Sequence, residues 1–471
     1  MTRTMGEEKV PFLGAVESSA EHGDSICGQS NKFSHAALGL SSLALSLLIC
    51  STLWTRPPFC PWLETNSPPL SIEERVSAIL ETTPLIDGHN DLADLIRKNY
   101  DNHIYSPSFA DPFSKGGLDG HADMPRLAKG KVGGTFWSVY VDCPARTSNY
   151  STENYAQSVR ETHQQIDLVK RLQQKYTDTF SESPLNATAA LEAFRTGKII
   201  SPLGMEGLHS IGNSFAQLRA FYHLGVRYGT LTHYCHNLFA DAALVNAPSG
   251  GLDIPEPLWH GVSDLGKKVV YEMNRLGMLV DLAHVSHDTM RDVLGGGKDS
   301  WSGSKAPVTF SHSSAYALCQ HPRNVPDDVL ELVGKTGSVV MVAFVPYFIS
   351  CNPPEEDHGI PTFDPVHSTL SRVADHITYI GELIGYKHVG LGSDFNGIPE
   401  TPDGLDDVSS FPALIEELLR RGVSDEDASL VVGGSLLRAW KQADQVALEM
   451  QSNGDEPVED DENLLQVSWS G

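Results

Sequence analysis

Sequence signatures of several common enzyme classes are missing from this chain of 471 residues. It has no His-Glu-x-x-His and no Gly-x-Ser-x-Gly, which argues against a zincin-type protease and against a serine hydrolase with a nucleophile elbow. Residues 295–299 look like a phosphate-binding loop, but Asp299 stands where Ser or Thr is required and Asp292 where the first glycine is required. No internal repeat is present, so a solenoid or propeller is not expected.

Cysteines are few, and none of the seven belongs to a Cys-x-x-Cys pair, which argues against a structural zinc knuckle. In an exported protein the last four could form two disulfides, whereas in the cytosol they would be buried thiols. These four are Cys143, Cys235, Cys319 and Cys351. The cellular compartment therefore decides their redox state.

Basic residues are outnumbered, with 34 Lys and Arg against 60 Asp and Glu and a formal net charge of −26. A surface this negative repels phosphate backbones, so nucleic acid is not an expected partner. Hydrophobic residues make up 40% of the chain and charged residues 20%, which fits a globular protein with a sizeable core.

Charged residues are absent from residues 33–54, a run rich in Leu and Ala. About 20 apolar residues span a bilayer as a helix, so this run predicts a transmembrane signal anchor. A cleaved signal peptide, which would yield a secreted form, is the alternative. The sequons at Asn149 and Asn186 agree with export and are the candidate glycosylation sites. We therefore expect a single-pass membrane protein whose large domain is extracellular or luminal.

Composition divides the chain into five segments. Residues 1–32 are predicted to form a disordered tail, residues 33–54 the transmembrane helix and the Pro-rich residues 55–71 a stalk. Residues 72–450 have the pattern of one folded domain, and residues 451–471 are predicted to form an acidic disordered tail.

Within the folded domain, short apolar runs alternate with amphipathic segments. Helical periodicity and helix-start signals predict helices over residues 263–276, 287–294, 326–333 and 373–384. Continuous apolar runs predict buried strands over residues 278–282, 308–311, 338–345 and 388–391. Repeated strand–helix units favour a parallel α/β fold, most simply a (β/α)8 TIM-like barrel, with a doubly wound sheet as the alternative.

Side chains that bind metals follow several of the apolar runs. His89 and Asp91 end one run, and residues i and i+2 of a strand point to the same side, so this pair can hold one cation. Other runs lead to further residues of these types: Glu206, His284, His312 and Asp394. In a barrel the carboxyl ends of the strands meet at one mouth, so we expect these side chains to converge.

Histidine, aspartate and glutamate together suit a pair of divalent metal ions of intermediate softness, of which zinc is the first candidate. Glu206 can bridge the two metals, and His312 adds a nitrogen ligand to the second. A bridging hydroxide would be the nucleophile, because zinc-bound water ionises near pH 7.

Seven short strings make the sequence resemble the membrane dipeptidase (renal dipeptidase) family. They occur in the family's order and at similar spacing, and they cover about residues 72–445. The strings are Asp-Gly-His-Asn-Asp at 87–91, Met-Glu-Gly at 205–207, Leu-Thr-His at 231–233, Asp-Leu-Ala-His-Val-Ser at 281–286, Ser-His-Ser-Ser-Ala at 311–315, Arg-Asn-Val-Pro-Asp at 323–327 and Gly-Ser-Asp-Phe at 392–395.

The resemblance implies a (β/α)8 barrel that holds two zinc ions and cleaves dipeptides. By the same resemblance, His89, Asp91 and Glu206 would hold the first zinc. The second would be held by Glu206, His284 and His312, so that Glu206 bridges the pair.

Three further residues receive roles from the resemblance. His233 would face the substrate carbonyl and stabilise the oxyanion. Arg323 would grip the free carboxylate of the substrate in a bidentate contact. Asp394 would contact the free amine and pass a proton to the leaving nitrogen.

The resemblance also pairs Cys143 with Cys235 and Cys319 with Cys351. Many members of the family form homodimers. Two other functions stay open from the sequence, a binuclear amidohydrolase that opens a β-lactam or another cyclic amide, and a catalytically inactive surface binding protein. The intact ligand set argues against the binding protein, and a zwitterionic substrate would explain the pair Arg323 and Asp394.

Overall fold

Eight parallel strands close into a barrel in the computed structural model, which describes residues 69–353 and 359–461. Each strand pairs with the next along the chain, and the eighth closes the barrel against the first. The predicted (β/α)8 barrel is therefore confirmed, and the doubly wound alternative is wrong. The strands are β1 (Leu85–Asn90), β2 (Val132–Tyr140), β3 (Leu203–Glu206), β4 (Val226–Thr230), β5 (Leu279–Asp281), β6 (Thr309–Ser313), β7 (Val339–Val342) and β8 (Val389–Leu391).

The predicted N-terminal tail, the predicted span over residues 33–54 and nearly all of the stalk lie outside the described residues. In the part of the chain that the structure describes, no helix is both long and apolar enough to cross a membrane. The transmembrane anchor therefore stays a prediction.

Helices occupy most of the connections between the strands, and two short antiparallel ribbons accompany them. The ribbons pair Val245–Asn246 with Leu252–Asp253 and Cys351–Asn352 with Thr362–Phe363. The helices are α1 (Ile72–Thr82), α2 (Leu92–Tyr100), α3 (Pro107–Lys115), α4 (Met124–Lys129), α5 (Thr152–Lys175), α6 (Ala187–Arg195), α7 (Phe215–Leu224), α8 (Asp264–Leu276), α9 (His287–Val293), α10 (Asp327–Thr336), α11 (Pro346–Ile349), α12 (Leu370–Ile384), α13 (Phe411–Arg420), α14 (Asp425–Ser429) and α15 (Ser435–Ser452).

Local sequence signals explain where the predicted elements begin and end. Helix α8 starts after Ser263, whose side chain accepts a hydrogen bond from the Gly266 amide, and it ends at Gly277 in the left-handed conformation. Its buried face includes Val269 and Met273, as the periodicity predicts. All eight elements predicted by residue range are present, with ends displaced by no more than three residues.

The register of the barrel aligns the carboxyl ends of β2, β3, β4 and β5. Tyr140 at the end of β2 pairs with Glu206 of β3, and Glu206 pairs with Thr230 of β4. Thr230 in turn lies beside Asp281, the last residue of β5, and Asp281 pairs with Thr309 at the start of β6, so that β6 extends farther toward this mouth. Side chains that follow these positions therefore meet at one mouth of the barrel.

A buried cluster with members from most of the strands lies apart from the larger core that includes the helix faces. It includes Ile86 of β1, Phe136 of β2 and Tyr228 of β4, and Trp440 of α15 packs against Phe136 with ring centres 5.4 Å apart. Because these side chains come from strands around the barrel, the cluster fills its interior. Phe136 also stacks on Tyr228 at 5.2 Å.

The predicted disordered tail from residue 451 is wrong for its first part. Helix α15 continues to Ser452, and the chain after it lies against α7 and α8. Asp460 accepts hydrogen bonds from the Ser214 hydroxyl and from the amides of Phe215 and Ala216. A carboxylate at a helix N-terminus satisfies otherwise unpaired amides, so this acidic residue serves as a cap for α7.

We expect Asp460→Ala to lower the free energy of unfolding by about 0.5–2 kcal/mol, because the first amides of α7 lose their acceptor. The corresponding fall in Tm would be about 1–4 °C, measured by calorimetry. Glu459→Ala is the matched control, since Glu459 is exposed and the change in charge is the same. Equal Tm values for the two variants would contradict the capping role.

Candidate metal centre and substrate pocket

The structure brings all eight predicted site residues together at the mouth of the barrel. Two of them lie within strands, His89 in β1 and His312 in β6, and Glu206 is the last residue of β3. The other five follow strand ends or lie in a longer connection. They are Asp91, His233, His284, Arg323 and Asp394.

Asp91 departs from the strand geometry that the sequence predicted. Asp91 lies beyond β1, where it precedes α2 with φ −94° and ψ 32°, so it is not an extended strand residue. Its Oδ2 atom nevertheless lies 3.2 Å from Nε2 of His89. The turn into α2, rather than the alternation of a strand, directs Asp91 toward the histidine.

Glu206 stands at the centre of the cluster, and its two carboxylate oxygens face different histidines. Oε2 lies 3.4 Å from Nε2 of His89, whereas Oε1 lies 2.9 Å from Nε2 of His284 and 3.6 Å from Nε2 of His312. The carboxylate is buried, with 4% of the residue exposed. One carboxylate that serves two groups of nitrogens in this way has the arrangement of a bridging ligand.

The donor atoms fit divalent metal ions. Tetrahedral zinc with ligands at about 2.0–2.2 Å sets those ligands about 3.3–3.6 Å apart, and the contacts of His89 and Glu206 fall in or near this range. Nε2 of His284 and Nε2 of His312 face each other at 3.0 Å. Burial lowers the pKa of both imidazoles well below the usual histidine range, so both are neutral and can offer lone pairs. Nε2 of His89 and Oδ1 of Asp91 are buried without a hydrogen-bond partner in the described structure, as expected of metal ligands.

Two of the site residues have strained backbones. His284 has φ 66° and Asp394 has φ 64°, and each lies three residues after the last residue of its strand. A residue other than glycine in the left-handed region costs about 1–3 kcal/mol, and such strain persists where surrounding structure imposes it. The turn after β5 and the turn after β8 thus both direct a functional side chain inward at some cost in stability.

A cavity of about 190 Å³ opens above the cluster. Four acidic residues line it, Asp91, Asp94, Glu206 and Asp394, together with one basic residue, Lys98. Four aromatic side chains also line it, those of Tyr140, Tyr234, Tyr347 and Phe348. A cavity of this size admits a small molecule with both polar ends and apolar parts.

Arg323 lies beside this cavity with 1% of its surface exposed. Nη1 donates to the Tyr234 hydroxyl and Nη2 to the His312 carbonyl, both at 3.4 Å, and the guanidinium lies 4.9 Å from the Phe348 ring centre. Among the described residues, no carboxylate lies within ion-pair distance of Arg323, and its Nε has no hydrogen-bond partner. A buried cation without a counter-ion is costly, so the geometry favours an anionic ligand group at this point.

The carboxylates of the site perturb one another. Burial raises the pKa of Asp394 well above its usual range, and the negative charges of Asp91 and Glu206 raise it further. Burial also raises the pKa of Glu206. Two cations among these groups would favour the ionised forms and remove the repulsion.

His233 is buried among rings, with its centre 4.8 Å from that of Tyr140 and 4.3 Å from that of His284. Burial lowers its pKa well below the usual range, so the imidazole is neutral and can donate one hydrogen bond. Its Nε2 lies 3.9 Å from Oε1 of Glu206, farther than the nitrogens of His284 and His312. This distance suits a group that faces a substrate better than a metal ligand.

Several residues that support the site were not predicted from the sequence. Oγ of Ser393 donates to Oδ2 of Asp87 at 2.6 Å, immediately before Asp394. Oγ of Ser311 donates to Oδ2 of Asp281 at 2.7 Å, immediately before His312. Burial raises the pKa of Asp87 to about 6. The signal that could have found both aspartates is a carboxylate inside an otherwise apolar strand, which needs a fixed hydrogen-bond partner.

Both expected disulfides are present, and both lie close to site residues in the chain. Cys143 is bonded to Cys235, two residues after His233, and Cys319 is bonded to Cys351. The first bond ties the segment after β4 to the segment after β2. The pairing that the family resemblance implied is therefore confirmed.

A sequence model of the family described as membrane dipeptidase (peptidase family M19) matches residues 73–454. The chain belongs to this family. It is 45% identical over 384 residues to Dipeptidase aclJ of Aspergillus oryzae, a match that covers 81% of this chain and 83% of the relative. It is 40% identical over 364 residues to Dipeptidase tcpJ of Claviceps purpurea, covering 77% of each chain.

The fold of this M19 family member also resembles solved structures. A metallopeptidase from Rhodobacter sphaeroides, crystallised with a phosphinate mimic of the dipeptide L-Ala-D-Ala, superposes with a TM-score of 0.61 at 22% identity. The match covers 77% of this chain and 99% of that one. The predicted family and enzyme class, an M19 dipeptidase, are thereby confirmed.

Proposed function

We propose that this M19 family member is a dizinc dipeptidase that acts on short substrates with a free amine and a free carboxylate. The observation that carries the proposal is the position of Glu206, whose two oxygens face His89 on one side and His284 and His312 on the other. Burial lowers the pKa of His284 and His312 well below the usual histidine range, so both imidazoles on the Oε1 side are neutral and can share a cation with this carboxylate.

The residues of the cluster divide into two ligand groups that share Glu206. His89, Asp91 and Glu206 would hold the first zinc ion, and Glu206, His284 and His312 the second. Zinc bound there would supply Lewis acidity and would lower the pKa of water that attacks the peptide carbonyl.

The protein side chains then have separate tasks around the substrate. Arg323 holds the free carboxylate in a bidentate contact, which is favoured because its guanidinium is buried and has no counter-ion among the described residues. Asp394 binds the free amine and transfers a proton to the leaving nitrogen. His233 donates a hydrogen bond to the developing oxyanion. Because both ends of the substrate are held within one small cavity, longer peptides fit poorly.

Hydrolysis of a matched set of substrates tests this proposal. The purified full chain should cleave a dipeptide with free termini and should leave its N-acetyl derivative, its C-terminal amide and the corresponding tripeptide nearly intact. Chelator should abolish cleavage, zinc should restore it, and elemental analysis should count about two zinc ions per chain. A folded protein that holds two zinc ions yet opens only cyclic amides would refute the dipeptide assignment, and a protein that binds no metal would refute the enzyme.

We also propose that the chain is a single-pass membrane protein with its barrel extracellular or luminal. The two disulfides support export, because disulfides persist mainly in oxidising compartments. Asn186 of one sequon is exposed and caps α6 through its side-chain oxygen, which leaves its amide nitrogen for a glycan.

Thr188→Ala removes this sequon and retains the Asn186 cap. When the variant is produced in secretory cells, its mass should be lower than that of the wild type by one glycan, and glycosidase treatment should abolish the difference. Homodimer formation stays a prediction.

A further inference from the structure

Tyr228 of β4 lies directly behind one of the metal-ligand histidines. Its hydroxyl is 2.7 Å from Nδ1 of His89, and both side chains are almost completely buried. The ring of Tyr228 stacks on Phe136, which packs against Trp440 at the floor of the barrel. The hydroxyl is therefore held in place by aromatic packing that does not involve the substrate cavity.

A neutral imidazole carries one proton, so the partner of one ring nitrogen determines what the other can do. When Nδ1 of His89 donates its hydrogen to the Tyr228 oxygen, Nε2 keeps a lone pair. That Nε2 atom faces Asp91 at 3.2 Å and Glu206 at 3.4 Å. The phenol can accept this hydrogen, and its contact with Nδ1 orients the ring so that Nε2 is the nitrogen that faces a metal.

The other two ligand histidines differ from His89 in what their Nδ1 atoms contact. Nδ1 of His312 lies 2.9 Å from Oγ of Ser311, and that hydroxyl already donates its hydrogen to Asp281. Ser311 must therefore accept from His312, which also leaves Nε2 free of hydrogen. Nδ1 of His284, in contrast, is buried without a hydrogen-bond partner among the described residues.

We propose that Tyr228 is a positioning residue for the first zinc ion, because its hydroxyl holds His89 in the orientation and tautomer that present Nε2 to the metal. Ser311 performs the same task for His312 at the second zinc. This inference rests on the dizinc site proposed above and adds to it that each metal depends on a different support, one from β4 and one from β6.

Zinc titration in a metal buffer tests the proposal without reference to activity. Tyr228→Phe should lower the binding affinity for one of the two zinc ions by about 10- to 100-fold and leave the affinity for the other unchanged. Tyr176→Phe is the matched control, since the Tyr176 hydroxyl has no hydrogen-bond partner in the described structure. In a His89→Ala background, Tyr228→Phe should cause no further loss of zinc affinity. In a His284→Ala background, the same change should lower the affinity for the zinc ion that remains.

A second measurement covers the case in which Tyr228→Phe does not fold, as judged by circular dichroism of the metal-free protein. In the zinc-loaded wild type, ¹⁵N NMR should find the His89 proton on Nδ1, with the signal identified by its loss in His89→Ala. A proton on Nε2, or a zinc titration of Tyr228→Phe that superposes on the wild type, would overturn the positioning role. A wild-type protein that binds fewer than two zinc ions would instead overturn the dizinc site and this inference with it.

Discussion

Glu206→Gln is expected to lower kcat/KM for a dipeptide by about 10³-fold or more, which corresponds to about 4 kcal/mol of transition-state stabilisation. The two side chains have nearly the same shape, so packing in the barrel is preserved. The amide, however, has no negative charge and only one oxygen, whereas the carboxylate oxygens of Glu206 face His89 and His284 separately. The variant should therefore also retain at most one zinc ion per chain by elemental analysis.

The matched control for this prediction is Glu459→Gln, which makes the same chemical change at an exposed position. It should keep two zinc ions and the wild-type rate. If Glu206→Gln retained both ions and more than a tenth of the activity, the bridging role of this carboxylate would be wrong. Circular dichroism and Tm of the metal-free proteins separate loss of metal from loss of fold.

Arg323→Met should raise KM and lower kcat/KM for a dipeptide by roughly 30- to 1000-fold, because truncating one member of a buried charge pair costs about 2–4 kcal/mol. Methionine keeps much of the volume next to Phe348 and removes the charge. Arg323→Lys should recover only part of the loss, since an ammonium cannot form the bidentate contact.

The C-terminal amide of the same dipeptide makes this prediction specific. It lacks the anion that Arg323 is proposed to bind, so wild type and Arg323→Met should cleave it equally slowly. Arg195→Met, at an exposed position on α6, should have no effect on either substrate. Rapid cleavage of the amide by the wild type would show that the carboxylate is not recognised, and Arg323 would then be a structural residue.

The barrel could be predicted from the sequence because its helices and strands have local sequence signals of their own. Helix α8 has an N-cap serine, an apolar stripe and a C-terminal glycine, and the strand after it is a short apolar run. The C-terminal segment was misjudged for a related reason. Acidic residues 455–461 look like a solvated tail, and only the unpaired amides at the start of α7, far away in the chain, explain why Asp460 is bound.

The metal ligands could also be predicted from the sequence, because His, Asp and Glu residues follow the apolar runs. The residues behind them could not. Tyr228 belongs to an unremarkable apolar segment, and its link to His89 spans 139 positions in the chain. Asp281 and Ser311 likewise face each other only because β5 and β6 are neighbours in the barrel.

The sequence by itself determined the type and order of the elements, the family, and the residues able to bind metal, since these depend on local periodicity and on side-chain chemistry. Tertiary structure alone decided which oxygen of Glu206 faces which histidine and which histidine nitrogens face the cluster. It also decided that no carboxylate of residues 69–353 and 359–461 pairs with Arg323. These properties are distances and hydrogen bonds between remote segments. They exist only when the barrel closes and brings the carboxyl ends of its strands to one mouth.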